Sequence, residues 1–132
     1  MSRDYDDYDY EVKIKSVYAD NMVVVGKDMY LYATGEKVNK YGIFYLIMLD
    51  NNKVKIKQKD GDYVKLDNKN FLIADASKSD ATKFTLYKVD KKEYAMKAPN
   101  GYYVRVRDDD LKLAAKAEDI GKKTRFKFKA VD

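Results

Sequence analysis

The chain repeats a pattern about every 40 residues, and this repetition limits its possible folds more than any other feature. Two copies begin with closely similar segments, Gly61-Asp62-Tyr63-Val64 and Gly101-Tyr102-Tyr103-Val104, and a weaker first copy begins at Asn21-Met22-Val23-Val24. Alanines at positions 33, 74 and 114 and phenylalanines at positions 44, 84 and 126 recur in the same order. Because two independent landmarks recur at the same spacing, the fold must contain three similar units.

Each repeat contains four short stretches with strand character. In the second repeat they are Val54–Lys57, Tyr63–Leu66, Phe71–Ala74 and Phe84–Tyr87, and turn-forming residues separate them. The sequence therefore predicts an all-β barrel of twelve short strands in three pseudo-symmetric repeats, at approximately 12–50, 51–90 and 91–132.

One stretch conflicts with this prediction. Residues 111–120 are rich in Leu, Ala and Lys and have good helix propensity. The equivalent stretch of the second repeat, 71–81, is rich in Asp and Ser and is a poor helix former. Because the two stretches are equivalent in the repeat, we expect that residues 111–120 do not form a helix, with at most a single helical turn at 117–120.

The repeated motif resembles a known family. Gly-x-Tyr-Val, then an aromatic residue or Leu followed by x-x-Ala, then Phe-x-Leu, is similar to the β-trefoil domains of fascin and hisactophilin, which are actin-crosslinking-like proteins. The resemblance covers residues 12–132 and is strongest in the second and third repeats. It implies a β-trefoil in which the first and fourth strands of each repeat form a six-stranded barrel and three hairpins cap one end.

The resemblance also implies which side chains fill the barrel. The expected core is Val12, Ile14, Val24, Leu31, Ala33, Phe44, Leu46, Val54, Ile56, Val64, Leu72, Ala74, Phe84, Leu86, Met96, Val104, Leu111, Leu113, Phe126 and Phe128. The chain departs from the family in its histidine content. Hisactophilin-like chains are rich in histidine and respond to pH, whereas this chain has no histidine, so that mechanism is not expected here.

Charge is divided unevenly along the chain. Of 27 basic and 22 acidic residues, one and four lie in residues 1–10, so the remainder carries 26 and 18, a net charge of +8. We expect an acidic, disordered Tyr/Asp-rich leader at 1–11 and a single basic domain at 12–132. The leader could simply be solvated, or it could fold over a basic patch and compete with an anionic partner.

The longest apolar run, residues 43–49, is too short for a spanning helix, which needs about 20 residues. No signal peptide is recognisable at the N-terminus. We therefore expect a soluble, cytoplasmic monomer.

The composition argues against most catalytic chemistry. The chain has no cysteine and no histidine, which removes the usual nucleophile–base pairs and the commonest metal ligands. Paired carboxylates occur at Asp60/Asp62 and at 108–110, but both groups fall in predicted turns, where Asp is expected for local hydrogen bonding. We predict a protein that is not an enzyme and has no cofactor or metal site.

A binding surface is more plausible than an active site. Strand alternation places basic side chains on the outer face of several strands, and in a trefoil the last strand pairs with the first. The predicted basic patch is Lys13, Lys15, Arg125, Lys127 and Lys129, together with Lys55 and Lys57. It would take an acidic protein or filament such as actin. Alternatively, these lysines are only the solvated face of amphipathic strands.

Nucleic acid is not an expected partner, because lysines outnumber arginines and no recognition helix or aromatic platform is recognisable. A carbohydrate-binding module is the alternative function, with Tyr94 and Tyr102 as candidates for stacking on sugar rings. The Gln-x-Trp motif of ricin-type lectins is absent, since the chain has no tryptophan.

Overall fold

The computed structural model describes residues 8–36 and 40–131, which contain twelve β-strands, three short 3-10 turns and no α-helix. The all-β fold is confirmed. The strands are β1 (Tyr10–Ser16), β2 (Asn21–Val25), β3 (Leu31–Gly35), β4 (Ile43–Met48), β5 (Lys53–Gln58), β6 (Tyr63–Leu66), β7 (Leu72–Ala76), β8 (Phe84–Asp90), β9 (Glu93–Lys97), β10 (Tyr103–Val106), β11 (Leu113–Ala117) and β12 (Phe126–Ala130). The 3-10 turns are Lys40–Gly42, Asp50–Asn52 and Lys122–Thr124.

Six strands close into a barrel. The antiparallel pairs run in a ring, β1–β4–β5–β8–β9–β12, and β12 pairs with β1 to close it. The other six strands form three hairpins, β2–β3, β6–β7 and β10–β11. The first and fourth strands of each repeat therefore build the barrel and the second and third build a hairpin, which is the β-trefoil architecture.

The three hairpins join at one end of the barrel through hydrogen bonds that follow the repeat. Three residues there have positive φ, namely Met29 (73°), Asn70 (69°) and Leu111 (61°). Their carbonyl oxygens accept, each at 2.8 Å, from the N–H groups of Ala74, Ala115 and Ala33, respectively. Both sets of positions step by 41 residues. The alanine landmark of the third repeat is therefore Ala115 and not Ala114.

The barrel is filled mainly by the repeated apolar positions. Phe44, Phe84 and Phe126 are fully buried, and the expected core positions lie in or against one apolar cluster, with one exception. That exception is Val24, which is half-buried, while its neighbour Val23 is 0% exposed. A β-bulge between Met22 and Val24 turns Val23 inward, and Val64 lies at the corresponding bulge of the next hairpin.

The segment with helix propensity forms a strand. Residues 113–117 pair with β10 as β11, and Ala114 also bridges to Phe71 of the neighbouring hairpin. Tertiary pairing thus overrides local propensity. The short turn expected at 117–120 lies further on, at Lys122–Thr124.

The first strand also begins earlier than the sequence predicted. Tyr10 and Glu11 pair with β4 as part of β1 and so lie in the barrel rather than in a leader. Residues 1–7 of the predicted leader lie outside the described residues.

Candidate functional site

Basic side chains meet at the seam where the last strand pairs with the first. Lys13 lies directly opposite Lys129, and Lys15 lies directly opposite Lys127. The alternate residues of β1, Val12 and Ile14, are buried in the core, so all four lysines are on the outer face. We call these four lysines, Lys13, Lys15, Lys127 and Lys129, the basic wall.

The basic wall is only partly neutralised. Lys15 forms an ion pair of 2.9 Å with Asp20, whose side chain is 82% exposed. The hydrogen bond from Lys15 and its charge lower the pKa of Asp20, and the charges of Lys127 and Lys129 act in the same direction. Lys13, Lys127 and Lys129 form no ion pair or hydrogen bond with their ammonium groups in the described part of the chain. The wall therefore keeps a net positive charge at neutral pH.

The other three basic residues predicted for the patch have partners within the fold. Strand β4 separates Lys55 and Lys57 from β1. The Lys55 ammonium donates to the carbonyl of Lys78 at 2.8 Å, and burial lowers the pKa of Lys55. Lys57 donates to carbonyls at its own strand end. Arg125 lies 3.5 Å from Glu93 of β9. These three side chains are engaged within the fold.

Lys59 belongs near the wall although it was not among the predicted site residues. Its N–H donates to the carbonyl of Ile43, which lies opposite Lys13 across β1 and β4. Its ammonium group is 3.1 Å from Glu11, and this hydrogen bond and the charge of Glu11 raise the pKa of Lys59. The alternation of lysines along β5 continues to position 59, so the sequence pattern could have predicted Lys59 as part of this surface.

The two candidate sugar-stacking tyrosines lie in different places. Tyr94 lines a cavity of about 560 Å³ at the open end of the barrel, opposite the hairpins, and its ring is 5.6 Å from that of Phe128. Tyr102 is 40% exposed in the turn between β9 and β10, where its N–H donates to Asn100. Tyr102 is not among the residues that line this cavity.

The open-end cavity combines an apolar interior with a polar rim. Its interior includes Leu46, Leu86 and Phe128, and its rim includes Tyr10, Glu11, Asn52 and Lys88. A cavity of this volume and composition is of the kind that holds small ligands.

The aspartates of the turn at 108–110 form ion pairs with neighbouring basic side chains. Asp108 accepts from Lys123 and from the hydroxyl of Tyr18, each at 2.7 Å, and these hydrogen bonds lower its pKa. Burial is the largest single influence on Asp110 and raises its pKa. The hydrogen bonds from Arg107 and from the Lys112 N–H, together with the charge of Arg107, outweigh burial, so the pKa of Asp110 is also lowered. Within residues 8–36 and 40–131, no three or more acidic residues are grouped so as to hold a metal ion.

A match to a known protein family shows to which family this chain belongs. The sequence model of the fascin-domain family matches residues 20–128 of this chain. The chain belongs to the fascin family. No curated protein sequence matches this fascin-family chain. Its described residues include no helix long and apolar enough to cross a bilayer.

Solved structures share the fold at low sequence identity. The designed three-fold symmetric protein ThreeFoil has a TM-score of 0.78 at 12% identity, over 93% of this chain and 100% of its own. The Rhizoctonia solani agglutinin has a TM-score of 0.75 at 12% identity, over 92% and 95%. The Macrolepiota procera ricin B-like lectin, solved with lactose, has a TM-score of 0.79 at 9% identity, over 95% and 98%. At this level of identity the likeness shows the trefoil fold.

Proposed function

We propose that this fascin-family domain is a non-catalytic binding module whose basic wall takes an acidic partner, with an actin-like protein filament as the first candidate. The observation that supports this proposal is the register of β1 and β12, which sets Lys13 opposite Lys129 and Lys15 opposite Lys127. Only Lys15 of these four forms an ion pair within the described residues.

Like charges directly opposite each other in a sheet destabilise it, by roughly 0.2–1 kcal/mol for a pair. A surface that served solubility alone would do so at lower cost with both signs interspersed. An acidic partner would relieve the repulsion and would be attracted by the same field. Because charges on a surface are screened over about 8 Å at physiological ionic strength, binding should weaken as salt is added.

The experiment is co-sedimentation of the full-length protein with filamentous actin at low and at physiological salt. We expect pelleting that persists at physiological salt and is stronger at low salt. Absence of pelleting under both conditions would remove the actin-like filament as the partner.

Carbohydrate binding is the second candidate, and the open-end cavity favours it. Tyr10 and Tyr94 offer aromatic rings there, and Glu11, Asn52 and Lys88 offer polar groups to sugar hydroxyls. Two of the compared structures are named as an agglutinin and a lectin, although their likeness concerns the fold.

A glycan array tests this second candidate. Tyr94→Ala should abolish any sugar binding in the cavity, whereas Tyr94→Phe keeps the ring and should retain most of it. Sugar binding that Tyr94→Ala leaves intact would contradict a site at the open end of the barrel.

A further inference from the structure

A second cavity, of about 210 Å³, lies between β10 and the turn that precedes β12. Three cationic side chains line it, those of Arg105, Lys122 and Lys123, together with Thr124, Gly121 and Asp119. None of these residues belongs to the basic wall or lines the open-end cavity. The cavity therefore requires an explanation of its own.

A single threonine builds the turn that forms one side of this cavity. Thr124 is 2% exposed, and its hydroxyl donates to the carbonyl of Gly121 at 2.9 Å and accepts from the Gly121 N–H at 2.8 Å. These two hydrogen bonds close the 3-10 turn Lys122–Thr124 on itself. Lys122 and Lys123 are thereby held beside the cavity.

The β1–β2 turn fixes the lysines further. The ammonium groups of Lys122 and Lys123 lie 5.8 Å and 5.5 Å from the ring centroid of Tyr18. Lys123 also forms an ion pair of 2.7 Å with Asp108, which in turn accepts from the Tyr18 hydroxyl. The lysines are thus positioned by contacts and do not depend on a ligand for their placement.

Arg105 carries the observation that points to a ligand. Its neighbours Val104 and Val106 are fully buried, so Arg105 projects from the opposite face of β10. Its Nε is shielded from solvent and has no hydrogen-bond acceptor in the described part of the chain. A buried donor without an acceptor is unfavourable and uncommon in folded proteins. An acceptor that enters the cavity could satisfy the guanidinium group after a rotation of its terminal torsions.

We propose that this cavity binds a tetrahedral oxyanion, a phosphate or sulfate group, through the guanidinium of Arg105 and the ammonium groups of Lys122 and Lys123. The planar guanidinium matches two oxygens of such a group, and each ammonium acts as a point charge. A carboxylate offers two oxygens, whereas phosphate and sulfate offer oxygens in several directions at once. Asp119 is the acidic side chain of the lining and Asp108 pairs with Lys123, so the three cations exceed these two carboxylates by one positive charge.

The experiment is a titration of the ¹⁵N-labelled full-length protein with sodium phosphate, sodium sulfate and, as the control, sodium chloride at equal ionic strength. The expected result is a saturable shift of the Arg105 Nε–H signal and of the backbone amides of residues 121–124. A response to phosphate alone, to sulfate alone or to both supports the site and names its ligand. Equal shifts with chloride, or an Arg105 Nε–H signal that does not move, would overturn the proposal.

Two variants test the site at different points. Arg105→Lys keeps the charge but loses the planar donor group, and it should weaken binding by about tenfold. Its matched control is Arg107→Lys, in the same hairpin, which pairs with Asp110 and should bind as the wild type does. Lys122→Gln lies at an exposed position where folding is not at risk, and it should weaken binding several-fold. If Arg105→Lys and Lys122→Gln both bind like the wild type, the site is not the one described.

Discussion

The ammonium group of Lys112 lies 3.7 Å from the centroid of the Tyr30 ring, at the end of the barrel where the three hairpins meet. Lys112 also lies 4.6 Å from the ring centroid of Phe71. Tyr30, Phe71 and Lys112 occupy the same position in successive repeats, 41 residues apart, and each forms an isolated bridge to a neighbouring hairpin. The third repeat thus supplies a cation where the first two supply rings, and the break in symmetry creates an attractive contact.

We expect Lys112→Met to destabilise the fold by about 0.5–2 kcal/mol, because methionine keeps an apolar stem but loses the cation–π contacts. Urea unfolding followed by circular dichroism measures the change. Lys91→Met, at an exposed turn position, is the control and should have little effect. A Lys112→Met protein as stable as the wild type would show that these contacts contribute nothing net.

Asp67 should make the fold sensitive to acid. It accepts from the Tyr30 hydroxyl at 2.7 Å and from the N–H groups of Lys69 and Phe71. Burial raises the pKa of Asp67, but these hydrogen bonds outweigh burial, so its pKa is lowered. A carboxyl with a lower pKa in the folded chain stabilises the fold above its unfolded pKa of about 3.9, and this contribution disappears as pH falls through the folded value.

The corresponding test is Asp67→Asn. The variant should be less stable than the wild type at pH 7. The difference should begin to shrink below about pH 4, where Asp67 protonates in the unfolded chain, and should disappear as pH falls through the lowered pKa of the folded state. Denaturant unfolding at several pH values measures it, with Asp60→Asn, at an exposed turn position, as the control. A stability difference that is constant from pH 7 to pH 2 would contradict the role assigned to the ionised carboxyl.

The fold was largely predictable from the sequence because its repeats mark the residues that fill the barrel. The predictions were wrong at two positions where the local structure departs from the regular repeat. A bulge exchanged Val24 for Val23, and the hydrogen bonds of the cap identified Ala115 rather than Ala114 as the repeated alanine.

The candidate sites were less predictable than the fold. Pairing of β1 with β12 followed from the trefoil, and so did the grouping of four lysines. The engagement of Lys55 with the carbonyl of Lys78 depends on a loop that no strand pattern describes. The cavity at Arg105 depends on how the 3-10 turn lies against β10, which is a tertiary contact without a sequence motif.

The lysines of the basic wall should reduce stability. Lys129→Glu replaces repulsion across the seam by attraction to Lys13, and we expect a gain of roughly 0.2–1 kcal/mol in the free energy of unfolding. Lys92→Glu makes the same charge change in the β8–β9 turn and serves as the control. Equal stability changes in the two variants, measured by urea unfolding, would mean that the facing lysines do not repel each other appreciably.

The acidic residues before Tyr8 should weaken binding to an acidic partner by charge alone. A protein that begins at Tyr8 lacks Arg3 and three aspartates, so its net charge rises from +5 to +7. It keeps Asp9, whose N–H and carboxylate bond to the backbone of β4, so the barrel should remain intact. We expect tighter binding of the shortened protein to actin filaments, most clearly at low salt. Weaker or unchanged binding would contradict the expectation that the acidic residues before Tyr8 oppose an acidic partner.

Charge reversal at the seam tests whether the basic wall is the surface that binds actin filaments. Lys127→Glu/Lys129→Glu should abolish co-sedimentation with actin filaments at physiological salt, while Lys91→Glu/Lys92→Glu, with the same total charge at the β8–β9 turn, should pellet like the wild type. Thermal unfolding of both double variants verifies that they are folded. If the seam variant still pellets like the wild type, or if both variants lose binding equally, the basic wall is not the binding surface.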